Sequence, residues 1–461
     1  MNKNIAQENI RMLASIIGKD MQMAASLLDS SIALVFDPKD LASSQFAGFL
    51  NNLLSRTIKS VVNNPAKSEK NTISVLIGNV DSSDGDNKLY VNFDSERIII
   101  SSVISKTALP SNVHPILLLL GACYTAAQVI QRIVGDMLPI PFFNPLEINF
   151  KSILGDDFSL DSKFDIQTAY LAGAGAIGNG FVLALSLLNP SGKLYIADLD
   201  IVDEGNLNRC VWFDESNVGF NKADELVKIA QPKFKTLDLI SHSGELQSIP
   251  TKNSGAWLRR LIIGVDSRRV RRNLQNEIPG EVYDASTTDI REVVLHFNNQ
   301  PLNGLACLSC IYFEDVAESA HELHVAEVLG VSLQEVQSNY ISAIAAQKIC
   351  QKYDYLIAGN VEGLAYDSLF KQLCGEGMLK TSEDKQVLAP FSFVSVLAGT
   401  YLAIEFAKRI ISCNPVEKFN YWRISPWSVP VLRAQKYRHS KIGCDFCGNP
   451  IMVETANSLW S

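Results

Sequence analysis

The sequence predicts an α/β protein organised around an open, mostly parallel sheet, and three features of one stretch carry that expectation. Residues 169–172 form a short apolar run that opens into Gly173, Gly175 and Gly178 in a Gly-x-Gly-x-x-Gly turn. An apolar helical pattern comes next over 177–188, then a second strand-like run over 193–197. That run ends at Asp198, twenty residues after Gly178. Together they form the βαβ unit of a Rossmann-like, doubly wound sheet. Its glycines let backbone approach phosphates at a helix N-terminus, and its acidic strand end takes ribose hydroxyls. The glycine pattern alone would be weak, because a glycine pair also lets a helix pack on a strand.

The stretch after this unit is denser in charge than a dinucleotide site requires. Asp200, Asn206 and Arg209 come first, with Lys222 thirteen residues after Arg209. An apolar run over 261–265 then delivers Asp266 at its carboxyl end, where ligands bind in open parallel sheets. Arg and Lys facing a strand-end Asp suit a phosphate transition state with magnesium. The plain alternative is scattered surface charge, which the ordered spacing argues against.

Gly-x-Gly-x-x-Gly, Asp-x-Asp-x-Val, Asn-Leu-x-Arg, a downstream Lys and a strand ending in Asp together resemble the ubiquitin-activating enzyme superfamily, the ThiF/MoeB-like adenylyltransferases. The resemblance is dense over 164–298 and departs at Ala176, where a glycine is common, and at Cys210, where a Gln often stands. It implies a ubiquitin-activating/ThiF-type sheet that binds ATP through Gly173, Gly175, Gly178, Asp198, Asp200, Asn206, Arg209 and Lys222. Asp198 would lie on the ribose and Asn206, Arg209 and Lys222 around the phosphates, with Asp266 on magnesium. The chemistry is consistent, since a carboxylate attacking an α-phosphate needs its repulsion cancelled by cations placed in advance, and no base. Arg271 also matches a family position, but Arg268, Arg269, Arg271 and Arg272 read as a solvated helix start.

Four of nine cysteines fall in two knuckles, Cys307-x-x-Cys310 and Cys444-x-x-Cys447. In a reducing compartment this predicts structural zinc clipping the C-terminus to the middle of the chain, with a redox dithiol as the alternative. Among the others, Cys374 lies in a polar, glycine-flanked segment beside Lys371 and Lys380, where a thiolate would be accessible. Cys374 is therefore the candidate catalytic thiol for a thioester. Cys350 is an outside candidate, and Cys123 and Cys413 read as filler in or beside apolar helices.

Length and composition, 461 residues with 47% hydrophobic and 20% charged, suit two or three globular domains. The expected division is an N-terminal α/β domain over 1–160 and an adenylation domain over 161–461, with a cysteine-bearing insertion at about 311–389. A net charge of −8 and the absence of a basic stripe argue against nucleic acid. The most apolar helix candidate, 116–130, is shorter than the ~20 residues that span a bilayer, and the N-terminus has no apolar signal core. No membrane association and a cytoplasmic location are expected.

The N-terminal domain carries no second phosphate loop. It does carry an echo: Tyr124, Ala126, Arg132 and Ile133 match Tyr401, Ala403, Arg409 and Ile410 at identical spacing. Residues 1–160 are then either a degenerate, inactive adenylation copy or an unrelated substrate clamp. The resemblance implies a ubiquitin-like protein substrate, a ubiquitin-conjugating-like enzyme as acceptor, and a homodimer in which an arginine such as Arg11 crosses to the phosphates. It is closest in kind to the activating enzyme of a bacterial ubiquitin-like conjugation system. The alternatives are a sulfur-carrier or peptide adenylyltransferase with no thioester step, a noncatalytic partner subunit, and an NAD-dependent oxidoreductase.

Overall fold

The computed structural model describes residues 3–66, 72–80, 87–104, 112–138, 140–155, 158–249, 255–288, 290–313, 316–338, 341–362, 364, 366, 369–370, 373, 391–412 and 419–460. Among them lie two sheets. The first orders β1 (Ser31–Val35), β2 (Ser60–Asn63), β3 (Ile73–Ile77), β4 (Lys88–Phe93), β5 (Arg97–Ser101) and β6 (Leu146–Asn149) as β2-β1-β3-β4-β5-β6. The second contains β7 (Asp165–Ala172), β8 (Ser191–Ala197), β9 (Leu237–His242), β10 (Arg260–Ile263), β11 (Glu281–Thr288), β12 (Glu292–Asn299), β13 (Tyr421–Ile424) and β14 (Gln435–Lys436). Its order is β14-β13-β12-β11-β10-β7-β8-β9.

The two sheets share a plan. In the first, β2, β1, β3 and β4 are parallel while β5 and β6 are antiparallel. In the second, β8, β7, β10 and β11 are parallel while β12 and β13 are antiparallel, so six strands repeat the first sheet in order and direction. Interior strands are covered on both faces, and all four residues of β10 are buried, Arg260 among them through its pair with Glu281 at 3.0 Å.

The helices repeat too. In chain order the first are α1 (Lys3–Ile17), α2 (Met21–Leu28), α3 (Leu41–Leu54), α4 (Pro115–Val134), α5 (Phe150–Leu154) and α6 (Ala176–Leu188). Then come α7 (Lys222–Ala230), α8 (Arg268–Gln275), α9 (Leu308–Ile311), α10 (Val316–Leu329), α11 (Leu333–Gln337), α12 (Ala343–Lys352), α13 (Ala358–Val361), α14 (Ser392–Ser412) and α15 (Pro450–Trp460). The first strand of each sheet feeds α3 or α6, and α4 or α14 precedes β6 or β13. A helical pattern spans 41–61, yet α3 ends at Leu54 because Ser60, Val61 and Val62 pair in parallel with β1.

Pro115 at the first turn and Gly135 at φ 62 bound α4. At 20 residues it is longer than the sequence predicts and meets the length and hydropathy of a membrane span, but 89% of its apolar window is buried inside the protein. It is a core helix. One hydrophobic cluster runs through both halves, and the echo residues Tyr124 and Tyr401 meet there, fully buried, with hydroxyl oxygens 2.9 Å apart. Each hydroxyl satisfies the other where no water reaches. Arg132 and Arg409 each reach back to their own sheet: Arg132 donates to the Lys88 carbonyl at 3.0 Å, and Arg409 stacks over Phe297. Helices α10 to α13 pack around a separate small core that includes Val325, Leu329, Ile349 and Phe370.

Candidate nucleotide site and cysteine cluster

The chain leaves β7 to β8 on one side and returns to β10 on the other, so the carboxyl ends of β7 and β10 flank a topological switch point. Gly173 sits there at φ +99, a backbone only glycine adopts readily, and a β-carbon on Gly178 would lie 2.1 Å from the Gly173 carbonyl oxygen. Those contacts press the turn against the first coil of α6. A β-carbon on Gly175 would meet nothing within 4 Å, so this side of the cradle is open.

Asp198 comes directly after β8 and closes the cradle. Its carboxylate accepts from the Ala174 N–H at 2.7 Å and from the Asp200 N–H at 2.9 Å. Burial pushes this carboxyl up to about 6; Lys222 pulls it down, Asp200 pushes it up, and the two N–H groups pull it down. Lys222 Nζ lies 2.9 Å from Asp200 Oδ2. Burial alone would depress that ammonium, but Asp200 and Asp198 outweigh it and hold Lys222 firmly charged. The other Asp200 oxygen, Oδ1, is buried with no hydrogen-bond partner among the described residues, an acceptor available to a donor or cation.

A residue missed from sequence, Asn221, organises this cluster. Its side-chain amide donates to the carbonyls of Asp198 (2.9 Å) and Asp200 (3.2 Å), while its oxygen caps α7 by accepting from the Ala223 N–H at 2.8 Å. The signal was present: Asn before a helix whose first turn carries Asp224 and Glu225.

Asn206 ends a short 3₁₀ turn, its oxygen accepting from the Asp203 N–H at 3.1 Å. Arg209 donates to the Gly205 carbonyl and to Asn208 Oδ1, both at 2.8 Å. Cys210, next to Arg209 in the chain, is buried. Burial raises its thiol, and the charges of Arg209, Lys222, Arg56 and Asp198 all act on it. The structure thus brings Asp198, Asp200 and Lys222 together beside the glycine turn, while Arg209 bonds within its own 205–209 turn.

Asp266 lies exposed just past β10, across the switch point. The solvated helix start expected next to it needs correction. Arg271 is 2% exposed, ion-paired to Asp284, and donates to the Tyr312 hydroxyl and the Ala285 carbonyl at 3.0 Å each, and to the Val265 carbonyl. Helical phase turns it inward against β11, and a buried guanidinium persists only when paired. Arg269 likewise pairs with Glu322 at 2.7 Å, leaving Arg268 as the exposed member.

Cys307, Cys310, Cys444 and Cys447 place their sulfurs within 4.8 Å of one another, with separations of 3.3 to 3.7 Å where they touch. Tetrahedral zinc with Zn–S near 2.3 Å implies sulfur edges of about 3.8 Å, so the set fits zinc, and four thiolates leave no position for water. The Lys441 N–H donates to Cys310 Sγ at 3.2 Å, the kind of supporting bond that orients a thiolate ligand. Cys374, its neighbours Lys371 and Lys380, and Cys413 lie outside the described residues. Cys123 is fully buried with its thiol pushed up by burial, as filler would be, and Cys350 is half-buried on α12.

Against known families, residues 151–445 match the ThiF family, well over half of the chain. The chain belongs to the ThiF family. Residues 2–154 match the E1 N-terminal domain, so this ThiF-family chain sits within the ubiquitin-activating enzyme superfamily. It is similar to the uncharacterized protein y4jF of Sinorhizobium fredii (strain NBRC 101917 / NGR234), at 25% identity over 319 residues, 62% of this chain and 58% of y4jF. It is also similar over 78 residues, at 28% identity, to the NEDD8-activating enzyme E1 catalytic subunit of Saccharomyces cerevisiae (strain ATCC 204508 / S288c), 17% of this chain and 26% of that subunit. The chain thus spans less than two thirds of the length of both relatives. Among solved structures it is similar to E. coli MccB with ATP, with 14% identity, TM-score 0.37, and 78% of this chain and 98% of that one covered. E. coli tRNA N6-threonylcarbamoyladenosine dehydratase, TcdA, is similar at 15% identity and TM-score 0.29, covering 54% and 88%.

Proposed function

We propose that this chain uses ATP to adenylate the C-terminal carboxylate of a ubiquitin-like protein. The observation that carries the reading is the Asp198, Asp200 and Lys222 cluster beside a glycine turn at the switch point of a ThiF-family sheet. In the reaction a carboxylate oxygen bonds to the α-phosphorus, the bond to the bridging oxygen toward the β-phosphate breaks, and pyrophosphate leaves. Lys222 and Arg209 offset the negative charge that builds up, Asp198 fixes the ribose, and the turn at Gly173, Gly175 and Gly178 seats the phosphates. Magnesium held by Asp266 would supply further charge neutralisation there.

The N-terminal half is a degenerate adenylation copy; the shared strand plan and the match to the E1 N-terminal domain support this over a substrate clamp. Helix α1 packs on the 204–206 turn, and Arg11 on that helix pairs with Glu8 at 3.2 Å; a homodimer in which Arg11 crosses to the phosphates is part of this reading. The Cys374 thiolate then attacks the acyl carbon of the adenylate, the mixed-anhydride C–O bond breaks and AMP leaves, and the thioester-held carrier passes to a conjugating enzyme in the cytoplasm. The match to the E1 N-terminal domain favours this route over a sulfur-carrier or peptide adenylyltransferase.

ATP–pyrophosphate exchange with carriers ending in glycine tests the first step: wild type exchanges and Asp266→Ala does not. No exchange with any such carrier would sink the reading. Cys374→Ala retains exchange and loses a thiol-sensitive adduct with the carrier. An adduct that survives removes Cys374, and exchange without any adduct in wild type selects the thioester-free alternative.

A further inference from the structure

We propose that Asn9 and Arg56, both in the N-terminal half, are positioning residues of the nucleotide site, holding the turn over 205–213 so that Asn206 and Arg209 present to the triphosphate. The inference rests on reading that site as one for ATP. Its basis is an unbroken chain of hydrogen bonds from one half to the other. Just after α3, the Arg56 guanidinium spans three carbonyls of the turn, donating through Nη1 to Leu207 at 2.5 Å and through Nη2 to Val211 at 2.9 Å and Phe213 at 3.2 Å. Its Nε is steadied by Asn52 Oδ1 at 3.1 Å. The Arg56 carbonyl accepts from Asn9 Nδ2 at 2.7 Å, and Asn9 Oδ1 accepts from Asn208 Nδ2 at 3.2 Å. Asn208 Oδ1 then accepts from Arg209 Nη1 at 2.8 Å, which orients the guanidinium assigned to the phosphates.

Asn9 and Asn208 are both fully buried, so no water substitutes for a broken link. The planar fork of Arg56 is what ties carbonyls six residues apart, a geometry that one lysine ammonium does not reproduce. Because the relay ends on the phosphate-binding arginine and not on Asp198, its loss reaches the triphosphate and spares the nucleoside. A mere seam between halves has no reason to discriminate the two ligands.

The test is calorimetric titration of the full chain with ATP and, separately, adenosine, for wild type, Arg56→Lys and Asn9→Leu. We expect each variant to bind ATP about tenfold more weakly, with adenosine affinity kept within about twofold. ATP and adenosine weakened equally, or neither weakened, overturns the proposal. Should Arg56→Lys fail to fold, Asn9→Leu, which keeps the guanidinium and cuts the relay, gives the same two-ligand comparison. A wild type that binds adenosine but not ATP sinks the reading of the site itself. Variants that match a wild type able to bind ATP sink only the positioning role.

Discussion

The two halves share a sheet plan but not the residues at the turn after its first strand. After β7 the chain turns through Gly173, Ala174 and Gly175 into α6; after β1 it passes through Phe36, Asp37, Pro38, Lys39 and Asp40 into α3. At the end of β8, Asp198 accepts from the Ala174 N–H at 2.7 Å; just past β2, Asn64 accepts from the Phe36 N–H at 2.9 Å. The same tie closes both turns. In one half it is a carboxylate beside Lys222, in the other a neutral amide with a bulky ring next to it. The tie belongs to the architecture and the charge belongs to the chemistry, which is why fold alone does not locate function.

The strongest way to break this comparison is the four-cysteine cluster fit for zinc, which among the described residues only the C-terminal half carries. Cys444→Ser should cost ~3 kcal/mol or more in chemical unfolding, and zinc chelation of the wild type should have a comparable effect. Next is Gly178→Ala, whose methyl would sit 2.1 Å from the Gly173 oxygen; ATP binding should be lost with ~2 kcal/mol of stability. A glycine in the corresponding helix of the other half sharpens the contrast. Gly48 lies in α3 with nothing within 4 Å of an added β-carbon, so Gly48→Ala should be stabilising by ~0.5 kcal/mol and leave ATP binding unchanged.

A third probe is the seam. Tyr124→Phe and Tyr401→Phe should each cost ~1 kcal/mol by leaving one hydroxyl orphaned, while the double variant costs less than their sum. Purely additive losses would mean that the two hydroxyls do not satisfy one another. The smallest effect expected is on pH. With Asp198 raised to about 6, its charge is lost as pH falls through that value, so ATP affinity should be flat above neutrality and weaken progressively below it. Asp198→Asn should bind more weakly at neutral pH and lose that dependence; Asn64 does not titrate and contributes none.

Much of the geometry of the candidate site was legible because its residues are clustered in sequence and its glycines announce backbone constraints. Gly173, Gly178, Asp198 and Lys222 fall within one βαβ unit and the turn after it, where local spacing dictates proximity. The cysteine pairs were legible for another reason, since two Cys-x-x-Cys knuckles are the spacing of a four-thiolate zinc site, and their sulfurs do gather within 4.8 Å. What escaped was set by tertiary packing. Whether Arg271 faces solvent or Asp284 depends on the phase of α8 against β11, which four arginines in five positions do not reveal. Asn9 and Arg56 lie more than 150 residues from the turn they hold, and no periodicity links them. The echo between α4 and α14 did point to the shared plan, because buried tyrosines at matched positions have each other as partners.

The central claim is that one nucleotide binds per chain, at the glycine turn of the C-terminal half. Crystals grown with ATP and magnesium test it most directly. The account predicts a triphosphate beside Gly173 to Gly178 within reach of Arg209 and Lys222, with nothing at Phe36 to Asp40. Nucleotide at the N-terminal turn, or a C-terminal turn left empty with Lys222 still paired to Asp200, would contradict it.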